Sequence, residues 1–264
     1  MNNINEARFL ESGFFYAVKA RIMKQVYSNY TKDDQKVWQI LFSRQEENLQ
    51  KKGCEEYLVC LDSLYPELNE FHIPEYNDLN RRLYQYTGWT IEVVPGLIPV
   101  EDFFLLLADK KFSASTWIRK MNELDYLEEP DMFHDIFGHI PLVAHKQFAN
   151  FMQEFGELGV EFIEDKEVVI QLQRLYWFTI EFGLINQGGE RKVYGAGICS
   201  SFGETNHALS KDVEVIPFNL EEVINTEFRT DVIQTKYFEL ESFHQLFAEF
   251  DRFKKELTSA KVLA

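Results

Sequence analysis

Apolar residues recur three and four apart over 14–30, where Phe15, Val18, Ile22 and Val26 predict an amphipathic helix. A second helix is expected from Thr31. Its hydroxyl suits an N-cap, Asp33 and Asp34 fall in the electropositive first turn, and Trp38, Leu41 and Phe42 define a buried face. Gly53 interrupts, CEEYLVCLDSLY (54–65) reads as another helix, and PELNEFHIPEYNDLN (66–80) as a turn and helix start. The alternating, β-branched WTIEVVPG (89–96) predicts a short strand ended by Pro95 and Gly96. VEDFFLLLADKKF (100–112) and STWIRKMNEL (115–124) read as short helices, and 131–187 is strongly helical. The Gly- and Ser-rich 188–204 predicts loops with one strand, and VEVIPF (213–218) a paired β-ribbon. Residues 236–258, with Phe238, Phe243, Leu246, Phe247 and Phe250, predict a final amphipathic helix. No repeat, low-complexity tract or interdomain linker breaks the pattern. The expectation is a mainly α, single-domain fold with a few short strands.

Composition narrows the partners. The 264 residues are 45% apolar and include 24 Phe, enough for a substantial aromatic core. Asp and Glu number 43 against 27 Lys and Arg, a formal charge of −16 that repels phosphate backbones and anionic lipid. Nucleic acid and membranes are therefore poor partners, and small uncharged or zwitterionic ligands remain. Three cysteines, Cys54, Cys60 and Cys199, fit a reducing cytoplasm better than a disulfide framework. The N-terminus MNNINEARFLESGFF lacks the basic start and long apolar run of a signal peptide, and FFLLLA (103–108) is too short to span a bilayer. A cytoplasmic protein is expected.

The candidate chemistry lies in EPDMFHDIFGHIP (129–141). Three of the six histidines, His134, His139 and His145, fall within twelve residues. A lone histidine is more often a satisfied core or surface group than a ligand, but this clustering beside Asp131 and Asp135 argues otherwise. On a regular helix, positions five apart diverge by roughly 140°. His134 and His139 thus cannot face one ion from an unbroken α-helix, and Gly138 and Pro141 are expected to let the chain leave helical geometry. His145, beyond the proline, is expected at the surface. Glu181 sits in the apolar run YWFTIEFGL (176–184), where a buried carboxylate needs a partner, either a metal or Arg174 two turns back. Two imidazoles and one carboxylate with open positions form the ligand set of non-haem Fe(II) oxygenases. A zinc peptidase would need histidines four apart and a Glu beside the first, where this chain has a spacing of five and Asp135.

At EPDMFHDIFGHIPL, YWFTIEFGL and YGAGICSSFGE (194–204) the sequence resembles the pterin-dependent aromatic amino acid hydroxylases, most closely their short bacterial phenylalanine-hydroxylating members. The similarity runs from about Tyr30 to about Phe250. It implies a helical basket-like catalytic domain over 30–264 with short β-ribbons, preceded by a helical extension over 1–29. No room is left for the regulatory domain or tetramerisation helix of the animal enzymes, so a monomer is expected. The implied reaction is hydroxylation of L-phenylalanine to L-tyrosine by O2, with Fe(II) and tetrahydrobiopterin. By motif, His134, His139 and Glu181 would hold the iron and Asp131 would orient His134. Arg119 would pair with the substrate carboxylate through its guanidinium fork. Trp177, Phe182 and Pro130 would wall the aromatic pocket, with Ser200 and the turn from Gly195 to Gly197 closing it. Gly96 and Leu97 would meet the pterin by backbone contact and Phe103 by stacking, while Tyr176 and Asp135 approach from the other side.

Three positions depart from the family pattern. Asp135 stands where most relatives carry Glu, Leu127 replaces a Thr, and Thr230 occupies a position usually Val or Ile in phenylalanine enzymes and Asp in tyrosine enzymes. Trp177 disfavours tryptophan as substrate. The alternatives are the same chemistry on tryptophan or tyrosine, and a metal-stabilised binding protein without turnover.

Overall fold

Thr31 starts the first long helix, α1 (Lys32–Leu49), through a reciprocal cap: its hydroxyl accepts the Asp34 N–H, and the Asp34 carboxylate accepts the Thr31 N–H. The computed structural model describes residues 23–125, 129–230 and 232–263. After α1 come α2 (Glu55–Ser63), α3 (Tyr76–Thr87), strand β1 (Thr90–Val93), α4 (Val100–Ala108) and strand β2 (Lys111–Ala114). Two further long helices, α5 (Lys146–Glu161) and α6 (Lys166–Tyr176), precede the hairpin β3 (Leu184–Gln187) and β4 (Glu190–Val193). The chain continues through α7 (Phe202–Ala208), β5 (Glu214–Pro217), α8 (Leu220–Asn225), β6 (Lys236–Leu240) and α9 (Phe243–Leu263). The result is mainly helical, with two small sheets. β1 and β2 pair in parallel across α4, and the second sheet runs β4-β3-β6-β5. No helix among the described residues is long and apolar enough to cross a membrane.

Several elements differ from expectation. The helix predicted over 14–30 lies outside the described residues up to 22. Residues 23–26 are irregular and Tyr27–Asn29 form a single 3-10 turn. Tertiary hydrogen bonds hold this strap instead: the Gln25 amide takes the Tyr76 N–H and reaches the Pro74 carbonyl, and the Tyr27 hydroxyl donates to the Ile73 carbonyl. The end of 100–112 is strand, not helix. Residues 115–124 carry only the 3-10 turn Met121–Glu123, because the Ser115 and Arg119 N–H groups are taken by Asp135 and Asp131. The final helix begins at Phe243, and its expected first residues form β6, with Tyr237, Phe238 and Leu240 buried. VEVIPF is a strand as predicted, in parallel register with β6.

One aromatic stack places the histidine segment. Trp38 and Phe42 of α1 meet Phe133 and Phe137 edge-on at 5.5 and 5.0 Å between ring centroids, and Phe133 stacks on Phe137 at 4.8 Å. Each such pair contributes about 0.5–1.5 kcal/mol beyond area burial. On the far side, α4 lies so close to α5 that a Cβ at Gly159 would sit 2.3 Å from the Phe104 ring. This approach brings Phe103 and Phe104 over the same cavity as the histidines.

Candidate metal centre and its cavity

The histidines converge without leaving helical geometry. Residues His134–His139 form a π-helix, flanked by Phe133 and Ile140 in right-handed helical conformation and followed by a one-turn α-helix over Ile140–Val143. A π-turn closes on the fifth residue rather than the fourth, so positions five apart fall on one face. Pro141 has a different part from the one expected. In an α-register its N–H would serve the Phe137 carbonyl, but proline has none. The buried Tyr57 hydroxyl donates to that carbonyl instead. Gly138 is needed for contact: a Cβ there would lie 2.8 Å from the Ala196 carbonyl oxygen. Glu181 ends a second π-segment, Trp177–Glu181, in which the Phe182 N–H reaches back to the Trp177 carbonyl.

The three predicted ligands meet. His134 Nε2 lies 3.2 Å from His139 Nε2, and the Glu181 carboxylate oxygens lie 3.6 and 3.0 Å from these two nitrogens. Donors that share one ion at about 2.0–2.2 Å stand about 3 Å apart when mutually perpendicular, so the spacing fits a common metal. The tautomer of His134 follows from its neighbour. The Ser200 hydroxyl donates to the Ala196 carbonyl at 2.8 Å, so towards His134 Nδ1, 3.0 Å away, it accepts. Nδ1 therefore carries the proton and Nε2 presents a lone pair. Burial pushes the His134 imidazole down to about 4, against the pull of Glu181, which keeps it neutral. Burial raises the Glu181 carboxyl, but His139 and the Gly197 backbone N–H facing it hold the group below its usual range. A single proton on His139 cannot satisfy both facing acceptors, whereas a cation does. Two imidazoles and a carboxylate on one face suit Fe(II). Arg174, the alternative partner for Glu181, instead reaches the Ile224 carbonyl and Glu227.

Asp131 works differently from the expectation. It accepts the His134 backbone N–H at 3.1 Å, leaving the ring to Ser200. It is fully buried and paired with Arg119 through Nε at 2.8 Å and Nη2 at 2.9 Å. Burial alone would raise its carboxyl, but the Arg119 guanidinium holds it low. Arg119 thus presents only its Nη1 and outer Nη2 hydrogens to a further ligand, with Nη1 also 3.5 Å from the Leu124 carbonyl. Asp135 accepts the Ser115 N–H at 2.7 Å, and burial pushes its carboxyl up to about 7 despite that bond. His145 is not a plain surface group: it is half-buried, and its Nδ1 caps α5 by accepting the Phe148 N–H.

A cavity of about 380 Å³ opens onto the ligands, within the range of roughly 300–1,000 Å³ for small-molecule sites. Its wall includes His134, His139 and Glu181, the predicted pterin residues Gly96, Leu97, Phe103, Asp135 and Tyr176, and the predicted substrate residues Pro130 and Trp177. Arg119, Phe182, Gly197 and Ser200 are not wall residues. Phe182 packs on Trp177, 4.6 Å between centroids, and a Cβ on Gly197 would meet its ring. Leu127 lies outside the described residues, and Thr230 is exposed. Sequence reasoning missed Phe112, whose ring lies 4.6 Å from His139, and Phe228, which stacks on Trp177 at 4.5 Å. Neither carries a local signal, since each enters through the fold.

The profile described as "Biopterin-dependent aromatic amino acid hydroxylase" matches residues 9–263, a wider span than the three motifs imply. The phenylalanine-4-hydroxylase of Chromobacterium violaceum is 40% identical over 226 residues, 85% of this chain and 75% of that protein. The phenylalanine-4-hydroxylase of Pseudomonas aeruginosa is 41% identical over 221 residues, 84% of this chain and 83% of that protein. The crystal structure of the C. violaceum enzyme with iron(III) and 7,8-dihydrobiopterin superposes with a TM-score of 0.83 at 40% identity, covering 90% of this chain and 87% of that one. Its iron- and phenylalanine-bound structure gives 0.81 at 37% identity, covering 90% and 88%.

Proposed function

The chain belongs to the biopterin-dependent aromatic amino acid hydroxylases, and on that footing we propose how its residues divide the work of a phenylalanine 4-monooxygenase, which converts L-phenylalanine to L-tyrosine with O2, Fe(II) and a tetrahydropterin. One observation carries the reading: three lone-pair donors 3.0–3.6 Å apart open onto an aromatic-walled cavity. Bound iron with reduced pterin supplies the oxygen chemistry, one atom of O2 leaving on the pterin and the other entering the substrate ring.

The remaining tasks fall to the protein. His134, His139 and Glu181 would hold the Fe(II), two imidazoles and one carboxylate being a donor set that suits it. Ser200 holds His134 in the ligating tautomer, and Asp131 fixes the backbone beneath it. Phe103, Tyr176, Gly96, Leu97 and Asp135 line the side that receives the pterin. Pro130 and Trp177 face the substrate ring, with Phe182 and Gly197 supporting Trp177 from behind. The outer edge of the Arg119 guanidinium takes the amino acid carboxylate while its inner edge stays on Asp131, a division that a planar two-edged fork allows. Residues 30–264 form the catalytic domain in the family's basket-like arrangement, acting as a cytoplasmic monomer.

The test supplies Fe(II), a tetrahydropterin and O2 with phenylalanine, tyrosine or tryptophan in parallel, and analyses the products. Tyrosine formed from phenylalanine should dominate. A protein that holds zinc tightly and consumes no oxygen with pterin would instead be a binding protein, and preferred turnover of another amino acid would reassign the substrate.

A further inference from the structure

Gln234 is buried, lies between α8 and β6, and uses every polar atom it has. Its side-chain Nε2 donates to the Arg229 and Val232 carbonyls, both at 2.9 Å, and its Oε1 accepts the Trp177 indole N–H at 3.1 Å. Its backbone N–H reaches Glu204 at 3.3 Å, and its carbonyl oxygen takes His207 Nε2 at 2.9 Å. The Tyr237 hydroxyl closes the group on Glu204 at 2.8 Å. The amide orientation is settled by these partners: reversed, it would set Oε1 against two carbonyls and Nε2 against the indole N–H. Gln234 therefore does two things at once. It closes the segment that carries Phe228, and it fixes the edge of Trp177, whose face is stacked on Phe228 at 16° between planes. Both rings are cavity wall.

An indole held at one edge by a buried hydrogen bond and on one face by a stacked ring has little freedom to tilt. We propose that Gln234 is a positioning residue: by holding Trp177 it sets the width of the aromatic pocket, and with it the preference for a phenyl over an indole side chain. This rests on the functional reading above, and it assigns part of the specificity to a residue that does not itself line the cavity.

The experiment measures binding of L-phenylalanine and L-tryptophan by calorimetry to the anaerobic, Fe(II)-loaded protein. It compares the parent, Gln234→Met, Gln234→Glu, Trp177→Phe and the Gln234→Met/Trp177→Phe double variant. Gln234→Met should weaken phenylalanine binding roughly three- to tenfold, the size of one net hydrogen bond, and narrow the phenylalanine-to-tryptophan ratio. Gln234→Glu keeps an oxygen facing the indole but turns its second oxygen on the Arg229 and Val232 carbonyls, so its ratio should narrow less than that of Gln234→Met. In the Trp177→Phe background Gln234→Met should change nothing, because the two act as one unit. An equal effect in that background, an unchanged ratio in Gln234→Met, or a Gln234→Glu ratio shifted as far as that of Met would overturn the proposal. The parent alone offers a further check: the Trp177 indole N–H should exchange slowly with solvent, and free exchange would also overturn it. A parent that bound neither amino acid would remove the functional reading itself, whereas parental binding with an unchanged ratio in Gln234→Met would count against Gln234 alone.

Discussion

Ser200 Oγ stands 3.0 Å from His134 Nδ1 and donates its own hydrogen bond to the Ala196 carbonyl. A hydroxyl placed on the non-ligating nitrogen fixes both the tautomer and the rotation of a ligand ring. Such partners typically carry ten- to a hundredfold in metal affinity. Ser200→Ala should therefore lower Fe(II) affinity about ten- to a hundredfold while leaving the fold intact. Chelator competition on the variant measures this, and parental iron retention would show that Asp131 and packing suffice to hold the ring.

Tyr57 carries the second prediction. Pro141 has no N–H to give the Phe137 carbonyl four residues back, and the buried Tyr57 hydroxyl donates to that carbonyl. Tyr57→Phe removes that donor, a net loss of about 0.5–1.5 kcal/mol for one hydrogen bond. Urea unfolding should report this loss, with iron affinity falling too as the histidine segment loosens. An unchanged unfolding midpoint would mean that the carbonyl finds another partner.

Much of this site was legible because its chemistry is local. His134, His139, Glu181 and the residues expected on the pterin side lie in short motifs, and all of them reach one cavity. The means of convergence was not legible. Spacing alone excluded a regular α-helix, but it could not separate a broken helix from a π-turn, since the deciding donor, Tyr57, comes from a distant helix. Gly138 looked like a hinge and proved to be a contact with Ala196. The same holds for secondary structure. The apolar pattern of 236–240 suits either a strand or a helix, and pairing with β5 and β3 chooses the strand. Residues 115–120 lose their expected helix because Asp131 and Asp135 claim their backbone, a long-range bond that no local pattern announces.

In the proposed function Arg119 couples substrate binding to the histidine segment. Its inner edge is committed to buried Asp131, which also holds the His134 N–H. Lysine offers a point charge where the site needs two edges. Arg119→Lys should weaken use of phenylalanine by roughly 1.5–3 kcal/mol, about ten- to a hundredfold in the half-saturating concentration, with little change in the pterin dependence. Steady-state rates against each cosubstrate decide it. An unchanged phenylalanine dependence would confine Arg119 to its structural bond with Asp131.

Asp135 gives the last prediction. Its carboxylate accepts the Ser115 N–H at 2.7 Å and lines the cavity beside Phe103 and Tyr176. Three substitutions separate its possible duties. Asp135→Asn keeps an acceptor for Ser115 and removes the carboxylate, so any loss it shows belongs to the ligand side. Asp135→Ala also strands the Ser115 N–H, adding a cost in stability of about 1–3 kcal/mol. Asp135→Glu carries the carboxylate one methylene further. If a water now bridges to the pterin, direct contact would save its immobilisation, about 0–2 kcal/mol. Asp135→Glu should thus tighten pterin use up to about tenfold or leave it unchanged, with phenylalanine dependence barely altered. Asp135→Ala should raise the pterin concentration needed for half-maximal rate. Apparent pterin and phenylalanine dependences of the three variants check this. If Asp135→Ala and Asp135→Asn both keep the parental pterin dependence, Asp135 serves only to hold Ser115 and takes no part in pterin binding.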